Sequence, residues 1–305
     1  MPQPPLRIAT RESALALWQA RFIQTSLLQI GVKSELLPMT TRGDQILDRP
    51  LQQVGGKGLF IKELEVALLN GEADLAAHSL KDLPATLADE FELSTVCAAA
   101  DPRDALVSNQ FASIVELPDG ARVGTSSLRR QCQLLALRPD LKIEPLRGNV
   151  NTRLSKLDRG DFDAIILACA GLDRLEFSDR IRQRIDIDIL LPAVTQGVVG
   201  IEIRAGDEQT RELLAPLHHQ ITARRVAAER AVNARLGGSC QTPIAIHAIE
   251  VDRLMTIRAL VGSNDGTIQL RAELTGDPEN GIAMGNKVAD QLLDQGADKL
   301  LAADD

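Results

Sequence analysis

Asp74-Leu75-Ala76-Ala77-His78-Ser79-Leu80-Lys81-Asp82-Leu83-Pro84 is the stretch that decides the fold class. Its first half is a short apolar run, which indicates a buried strand, and its second half is crowded with polar and ionisable side chains. In open α/β sheets, ligands bind beyond the carboxyl ends of strands. Ser79, Lys81 and Asp82 are therefore candidate site residues. Asp82 is the best-placed acid or base, although a single loop aspartate is more often a helix cap or a surface charge.

The same arrangement recurs along the chain, because basic residues follow several other predicted strands. These residues are Arg11, Lys81, Arg129, Arg130, Arg147, Arg153 and Arg174. In Thr125-Ser126-Ser127-Leu128-Arg129-Arg130, hydroxyl groups and two arginines meet at a predicted helix start, where the helix dipole and free N–H groups favour anions. Paired arginines are also common as plain surface charge. The recurrence predicts a site for a polyanion of modest size, and guanidinium groups suit carboxylates and phosphates equally.

Length and composition exclude several classes of protein. A chain of 305 residues predicts two or three domains. The net charge of -8 argues against bulk attraction to nucleic acid or to an anionic membrane, and 2% aromatic residues leave few surfaces for stacking bases. The sequence has no GxxxxGK[ST] loop and no GxGxxG after a strand, which argues against nucleotides. It also lacks a His/Cys/Asp cluster with metal-ligand spacing, so no metal is expected.

The cysteines and the N-terminus favour a cytoplasmic protein. The four cysteines have no CxxC spacing and the chain is not small and cysteine-dense, so no disulfide framework is expected. The first residues lack a basic region followed by an apolar run, and no segment approaches the ~20 apolar residues of a membrane span. We therefore expect a reducing cytosol and no membrane partner.

Gly237-Gly238-Ser239-Cys240-Gln241-Thr242-Pro243 places a thiol at a predicted corner between a helix and a strand. The glycines end a helix predicted over 223–236, and Pro243 precedes a strand predicted over 244–249. Three upstream arginines would favour the thiolate if the fold brought one near: Arg224, Arg225 and Arg235. This stretch alone leaves open whether Cys240 is functional or an incidental loop cysteine.

Two other segments are expected to move or to cross between domains. Gly55-Gly56-Lys57-Gly58 permits a loop that closes over a ligand and carries the charge of Lys57, although a plain connector before the helix predicted over 59–69 fits as well. Residues 192–202 combine a proline and glycines with an apolar run, which predicts a return crossover with a hinge. After Cys240, predicted strands at 244–249, 256–261 and 268–274 and a helix at 280–294 indicate a small α+β domain.

Taken together, these motifs resemble the porphobilinogen deaminase family. The resemblance rests on Leu6–Arg11, Gly55–Phe60, His78–Pro84, Asp101–Ala105, Gly124–Arg130, Leu146–Val150 and Cys240–Pro243. It implies an α/β fold with two periplasmic-binding-protein-like lobes around a cleft and a small α+β C-terminal domain. The implied domains are 1–99 plus 198–217, 103–193 and 220–305.

The resemblance also implies a reaction. The family joins four porphobilinogen units head to tail with release of ammonia, on a dipyrromethane cofactor bound through a cysteine thioether, and hydrolyses the product to hydroxymethylbilane. The matching cysteine is Cys240, and Asp82 matches the catalytic aspartate. The implied cofactor contacts are Ser13, Ser79, Lys81, Asp82, Thr125, Ser127, Arg129, Arg130, Arg147 and Gly148. The implied substrate contacts are Arg11, Arg147, Arg153, Arg174 and Gln196. The family further implies a monomer, with Lys57 on a flexible loop.

Three positions depart from the common family pattern. Gln53 replaces a frequent lysine, Thr195 replaces a frequent glycine and is expected to stiffen the hinge, and Ser239 replaces a frequent glycine beside Cys240. Two other functions compete with the family's reaction. One is a non-catalytic two-lobed protein that binds a small polycarboxylate, and the other is an enzyme that uses Cys240 as a transient nucleophile, for which no histidine lies close in sequence.

Overall fold

The computed structural model describes residues 4–41, 61–239 and 241–302. Its strands in chain order are β1 (Leu6–Arg11), β2 (Ser34–Met39), β3 (Leu75–Ser79), β4 (Phe91–Val96), β5 (Asp104–Val107), β6 (Arg122–Gly124), β7 (Lys142–Glu144), β8 (Ala164–Ala168), β9 (Ile181–Arg184), β10 (Val199–Arg204), β11 (Ile244–Val251), β12 (Leu254–Gly262) and β13 (Gln269–Gly276). Its α-helices are α1 (Ala14–Gln29), α2 (Lys62–Leu69), α3 (Leu128–Leu137), α4 (Val150–Asp158), α5 (Cys169–Arg174), α6 (Glu208–Leu214), α7 (Gln220–Arg235), α8 (Gly281–Asp294) and α9 (Ala297–Ala302).

The chain divides into two compact units, and the first comprises Met1–Ala99 and Val198–Ala223. Its sheet has the strand order β2-β1-β3-β10-β4. β1 runs parallel to β2 and β3, whereas the returning strand β10 lies antiparallel between β3 and β4. Helix α1 buries Ile23 and Leu27 with Ile8 on one face, and α2 buries Leu64 and Leu68 on the other. Because both faces are covered, the central strands are apolar.

The second unit comprises Ala100–Gly197 and Arg224–Asp305 and contains two sheets. The first of these has the order β7-β6-β8-β5-β9, with β6 parallel to β7 and β8 and with β5 antiparallel to β8 and β9. Apolar clusters cover both of its faces, one around Leu106, Val123 and Ile166 and the other around Val107 and Ile165. It therefore has the same α/β layering as the sheet of the first unit.

The second sheet of this unit is an antiparallel meander, β11-β12-β13. One of its faces packs against α7 and α8 through Val232, Ile246, Ile257 and Val288. The three strands and the helix predicted after residue 243 are all present, and the strands end one or two residues after the predicted ends. Each strand pairs with the strand next to it in sequence, and the helices pack on one face of the sheet. This is the expected α+β arrangement.

The predicted fold class of two α/β sheets followed by a small α+β part is thus confirmed. The helix boundaries differ slightly, since α7 begins at Gln220 and not at 223, and the described helix before residue 70 begins at Lys62. Within the described ranges, the structure contains no helix with the length and hydropathy that a membrane crossing requires.

Candidate functional site

Polar side chains of the first unit gather at the carboxyl edge of its parallel strands. Arg11 ends β1, Ser13 caps the N-terminus of α1, and Ser79 ends β3. These side chains line one pocket together with Asp82 and Gln19. Because β1 and β3 are parallel neighbours, their carboxyl ends lie at the same edge, as the sequence predicted. Lys81 lies in the same turn as Asp82 but does not line this pocket.

The turn that carries Asp82 packs against β10, and the Asp82 carboxylate faces solvent. Asp82 is exposed and ends the 3₁₀ turn Leu80–Asp82. Leu80 is buried, and its N–H donates to the Val198 carbonyl at 3.0 Å. A Cβ at position 200 would collide with the Leu80 side chain, so Gly200 lets this turn rest directly on β10. The arrangement presents an acid or base on a fixed backbone.

Sequence reasoning missed Gln19 and the pair formed by His78 and Glu202. Gln19 is buried, and its Nε2 donates to the Ser79 hydroxyl at 2.6 Å. His78 also lines the pocket, and its Nε2 lies 2.8 Å from Oε2 of the buried Glu202. One signal was available for Gln19: it is a polar residue on the face of α1 that buries Ala16, Ala20 and Ile23.

In the second unit, the predicted site residues follow three parallel strands. Thr125 and Ser127 follow β6, Arg147 follows β7, and Arg174 ends the helix after β8. The Ser126 hydroxyl joins two of these loops, since it donates to the Leu146 carbonyl at 3.1 Å and accepts from the Leu146 N–H at 3.0 Å. Since β6 pairs in parallel with both β7 and β8, these loops meet at one edge.

Arg129 and Arg130 are buried and share one carboxylate. Nη1 of Arg129 lies 2.8 Å from Oδ2 of Asp104, and Nη2 of Arg130 lies 2.6 Å from Oδ1. Burial by itself would raise the pKa of Asp104, but the charges of Arg129 and Arg130 outweigh it and hold this pKa well below its ordinary value. The structure therefore places both arginines in an interior cluster, and their charges exceed that of the carboxylate between them.

Gln196 belongs to the same cluster. Its Nε2 donates to Oδ1 of Asp104 at 3.1 Å and to the Pro102 carbonyl at 2.7 Å. Arg129 Nη1 also donates to the Leu191 carbonyl at 2.7 Å, whereas its Nε is a buried donor without a hydrogen-bond partner among the described residues. The four side chains of Asp104, Arg129, Arg130 and Gln196 are called the Asp104 cluster below.

Arg147, Gly148 and Arg153 belong to one loop and the helix that follows it. Nε of Arg153 donates to the Gly148 carbonyl at 2.7 Å, and Nζ of Lys156 donates to the Arg147 carbonyl at 3.2 Å. Gly148 has φ +110° and a Cβ there would lie 2.7 Å from a Thr152 side-chain carbon, so only glycine fits. Arg174 donates from Nη2 to the Gly197 carbonyl at 2.7 Å.

Cys240, Lys57 and Gln53 lie outside the described residues. On either side of Cys240, the Ser239 N–H donates to the Thr242 hydroxyl at 3.0 Å and the Gln241 N–H donates to the Ser239 hydroxyl at 3.1 Å. Ser239 is not among the described non-glycine residues with positive φ, whereas Gly237 takes φ +66° and ends α7 as predicted.

The three arginines upstream of Cys240 have partners on β11 and α8. Arg224 pairs with Glu250 at 2.7 Å, Nε of Arg225 donates to the Ala248 carbonyl at 2.6 Å, and Arg235 pairs with Asp290. The sequence shows that these arginines lie near Cys240 along the chain but does not reveal their partners, which lie on β11 and α8. Cys240 lies outside the described residues, so activation of its thiol by one of these arginines stays a prediction.

Two family models match nearly the whole chain. Residues 6–212 match the model described as "Porphobilinogen deaminase, dipyromethane cofactor binding domain". Residues 223–294 match the model described as "Porphobilinogen deaminase, C-terminal domain".

Several solved structures are similar to parts of the chain at low sequence identity. An ABC transporter periplasmic substrate-binding protein from Coxiella burnetii is 14% identical, with a TM-score of 0.45 over 72% of this chain and 94% of that one. The BvgS periplasmic VFT2 domain of Bordetella pertussis is 16% identical, with a TM-score of 0.42 over 69% and 85%. A nutrient binding protein from Burkholderia cenocepacia, bound to methionine, is 14% identical, with a TM-score of 0.42 over 69% and 90%.

Proposed function

This chain belongs to the porphobilinogen deaminase family, and we propose that its Asp82 and Cys240 carry the two chemical roles that the family's reaction requires. As a family member it is an enzyme that polymerises porphobilinogen into hydroxymethylbilane, and it binds a dipyrromethane cofactor. The family match favours this activity over a non-catalytic protein that binds a small polycarboxylate. The assignment of individual residues is the proposal.

The residues present fit a cofactor that carries carboxylates. Each pyrrole has an acetate and a propionate group, and such groups need guanidinium, ammonium, hydroxyl or backbone N–H donors. The Asp104 cluster carries more positive than negative charge, and Nε of Arg129 has no hydrogen-bond partner among the described residues. Both observations support an anion beside these arginines. We assign the cofactor to Ser13, Ser79, Lys81, Asp82, Thr125, Ser127, Arg129, Arg130, Arg147 and Gly148. When bound, dipyrromethane supplies the terminal pyrrole carbon at which the growing chain begins.

Asp82 is assigned as the catalytic residue. Loss of ammonia from porphobilinogen leaves positive charge that is delocalised onto the pyrrole N–H, and a carboxylate that accepts this hydrogen bond stabilises the charge. After the carbon–carbon bond has formed, a proton must leave the ring carbon, and an exposed carboxylate on a fixed turn is a suitable base. Gln19 supports the same pocket, because it fixes the Ser79 hydroxyl at its rim.

Five further residues are assigned to the substrate carboxylates: Arg11, Arg147, Arg153, Arg174 and Gln196. Their backbone positions at strand ends support this assignment, since Arg11 is the last residue of β1 and Arg147 lies beyond the end of β7. Arg153 and Arg174 each donate to a backbone carbonyl, at 2.7 Å in both cases, and these bonds orient the two guanidinium groups. Lys57, which lies outside the described residues, is assigned to supply positive charge near the substrate.

Cys240 is assigned as the covalent attachment point of the cofactor. The hydrogen bonds of Ser239 and Thr242 support this role, because they fix the backbone on both sides of the cysteine. A permanent thioether requires a thiol that is reachable when the cofactor is first attached, and a loop between α7 and β11 provides such a position.

The organisation and setting of the protein complete the proposal. We propose domains at 1–99 plus 198–217, 103–193 and 220–305, and a monomer that works in the cytoplasm without nucleic-acid or membrane partners. The net charge of -8 supports the absence of polyanionic partners. Three buried thiols in the described part of the chain support a reducing compartment.

The observation that carries the residue assignments is the agreement between the two matched family models and the polar edges of the two α/β sheets. Intact mass spectrometry of the purified protein tests them. We expect a mass above that of the sequence by one two-pyrrole adduct, located on the peptide that contains Cys240, and no adduct in C240A. Fully active protein without an adduct would exclude the tether, and an adduct on Cys97, Cys132 or Cys169 would reassign it.

A further inference from the structure

Thr195 has a backbone conformation that β-branched residues rarely adopt. Its φ is +55°, and the residue is buried. Such a conformation persists only where the surroundings impose it. The side chain supplies one local bond, from its hydroxyl to the Val194 carbonyl at 2.8 Å. The backbone N–H of Thr195 forms its hydrogen bond with a residue from another part of the unit.

Glu229 of α7 provides that bond. This residue is buried, and its two carboxylate oxygens accept from two separate backbone groups. Oε2 accepts from the Thr195 N–H at 2.6 Å, and Oε1 accepts from the Ala248 N–H of β11 at 2.8 Å. Nδ1 of His247 lies 3.6 Å from Oε1. Glu229 therefore joins the Thr195 turn to the helix and strand that flank the Cys240 loop.

The next residue carries this connection into the Asp104 cluster. Gln196 follows Thr195 directly, and its amide nitrogen donates to Oδ1 of Asp104 and to the Pro102 carbonyl. The same Oδ1 accepts from Nε of Arg130 at 3.1 Å and from Nη2 at 2.6 Å. A shift of the Thr195 turn would thus move the Gln196 amide, which donates to the same Asp104 oxygen as Arg130.

We propose that Glu229 is a positioning residue for the anion site, which fixes the Thr195 turn and, through Gln196 and Asp104, the orientation of Arg129 and Arg130. The proposal rests on the proposed function, in which these arginines hold carboxylates. In this proposal, Glu229 acts through its hydrogen bond to the Thr195 turn and not by binding cofactor or substrate itself.

An isosteric substitution tests the bond directly. A carboxylate presents only acceptors, whereas the amide of glutamine has one acceptor and one NH₂ donor. In E229Q, either orientation of the amide sets its NH₂ against one of the two backbone N–H groups. The substitution keeps the size of the side chain and removes one of the two bonds.

The experiment compares wild type, E229Q and E250Q by steady-state kinetics with porphobilinogen. Glu250 is a matched control in β11, because its ion pair with Arg224 does not reach Thr195. We expect the KM of E229Q to rise by about tenfold, because a shifted turn misplaces Gln196, which is assigned to the substrate carboxylates; the cofactor is covalently attached, so its loading by intact mass should be retained. We expect E250Q to keep the wild-type KM. An E229Q protein with unchanged KM and a lower melting temperature would reduce Glu229 to a structural role and overturn the proposal.

A double substitution keeps the test decisive. Glycine adopts φ +55° without strain, so T195G/E229Q should recover a KM near that of wild type even though the NH₂ conflict remains. A double variant with the KM of E229Q would overturn the proposed route through the turn. If E229Q does not accumulate, E229D keeps two acceptor oxygens on a shorter side chain, and the same rise and the same recovery by T195G are expected. Failure of the proposed function is distinguishable, since wild type would then carry no adduct and show no turnover.

Discussion

Nη1 of Arg129 lies 2.8 Å from Oδ2 of Asp104, and both side chains are almost completely buried. Asp104 opens β5, the first strand after the chain enters the second unit, whereas Arg129 lies in the first turn of α3. Two guanidinium groups converge on this one carboxylate. A buried charge without an opposite charge beside it costs folding free energy, so the stability of the cluster depends on Asp104.

Asp104→Asn should therefore destabilise the protein strongly. We expect a loss of about 3–5 kcal/mol in the free energy of unfolding, because two buried guanidinium groups lose their counter-charge. Urea denaturation followed by circular dichroism measures this loss. D140N, which affects an aspartate at the surface beside Arg138, is the control and should change the midpoint much less. Equal midpoints for the two variants would contradict the central place given to Asp104.

The stability difference between wild type and D104N should depend on pH. The pKa of Asp104 is lower in the folded state than its ordinary value of about 3.9 in an unfolded chain. Its contribution is therefore complete above that ordinary value and is lost as the pH falls towards the folded-state pKa. Urea midpoints at several pH values should show a constant difference from pH 7 to 5 that narrows only below about pH 4. A difference that shrinks between pH 7 and 5 would point to another titrating group.

Asp82→Asn should remove activity and leave the fold intact. The side chain is exposed at the end of its turn, so we expect the unfolding free energy to stay within about 0.5 kcal/mol of wild type. Turnover should fall by about 100-fold or more, since the amide can neither take a proton nor balance positive charge. Single-turnover kinetics and thermal melts on the same preparation separate the two effects. Near-normal turnover would remove Asp82 from the mechanism.

Thr195→Gly as a single change should make the protein more stable. The left-handed backbone of a non-glycine residue costs about 1–3 kcal/mol. Glycine relieves this strain, but its greater freedom in the unfolded state offsets about 0.5–1 kcal/mol of the gain in stability. A net gain of about 1 kcal/mol is expected, which differential scanning calorimetry detects as a higher melting temperature. A lower melting temperature would mean that the Thr195 hydroxyl contributes more than the backbone strain costs. The expectation that threonine stiffens this segment is tested by the same experiment.

Thiol counting should distinguish a tethered cysteine from a free one. Burial raises the pKa of Cys132 and of Cys169 to about 12 each, and Cys97 is also buried, so these thiols should not react in the native protein at pH 8. After denaturation, a chromogenic disulfide reagent should find three reactive thiols among the four cysteines of the sequence. C240A should give the same number, and a wild-type count of four would mean that Cys240 carries no thioether.

The sequence was informative wherever a signal is local. Alternating and continuous apolar runs placed the strands, and Gly237 marked the end of α7 to within two residues. The position of arginines after strand ends was also predictable, because parallel strands bring such loops to one edge. Each of these inferences depends on neighbours within a few residues.

Partners that lie far apart along the chain were not predictable. Gln19 finds Ser79 across 60 residues, and Glu229 finds Thr195 across 34. Nothing near Asp104 in the sequence indicates that one carboxylate serves two arginines, or that the arginines before Cys240 pair with groups on β11 and α8. Long-range pairing of this kind depends on tertiary packing, which a single sequence does not reveal.

The central position of β10 also constrains how the protein emerges from the ribosome. The first sheet places β10 between β3 and β4, yet β10 is encoded after the whole stretch Ala100–Gly197. At roughly 5–20 residues per second, translation of these ~100 residues lasts on the order of 5–20 s. During that interval β3 and β4 have exposed edges with unpaired backbone groups, which are the kind of surface that chaperones protect. The first unit of the chain to be synthesised is therefore not the first that can complete its sheet.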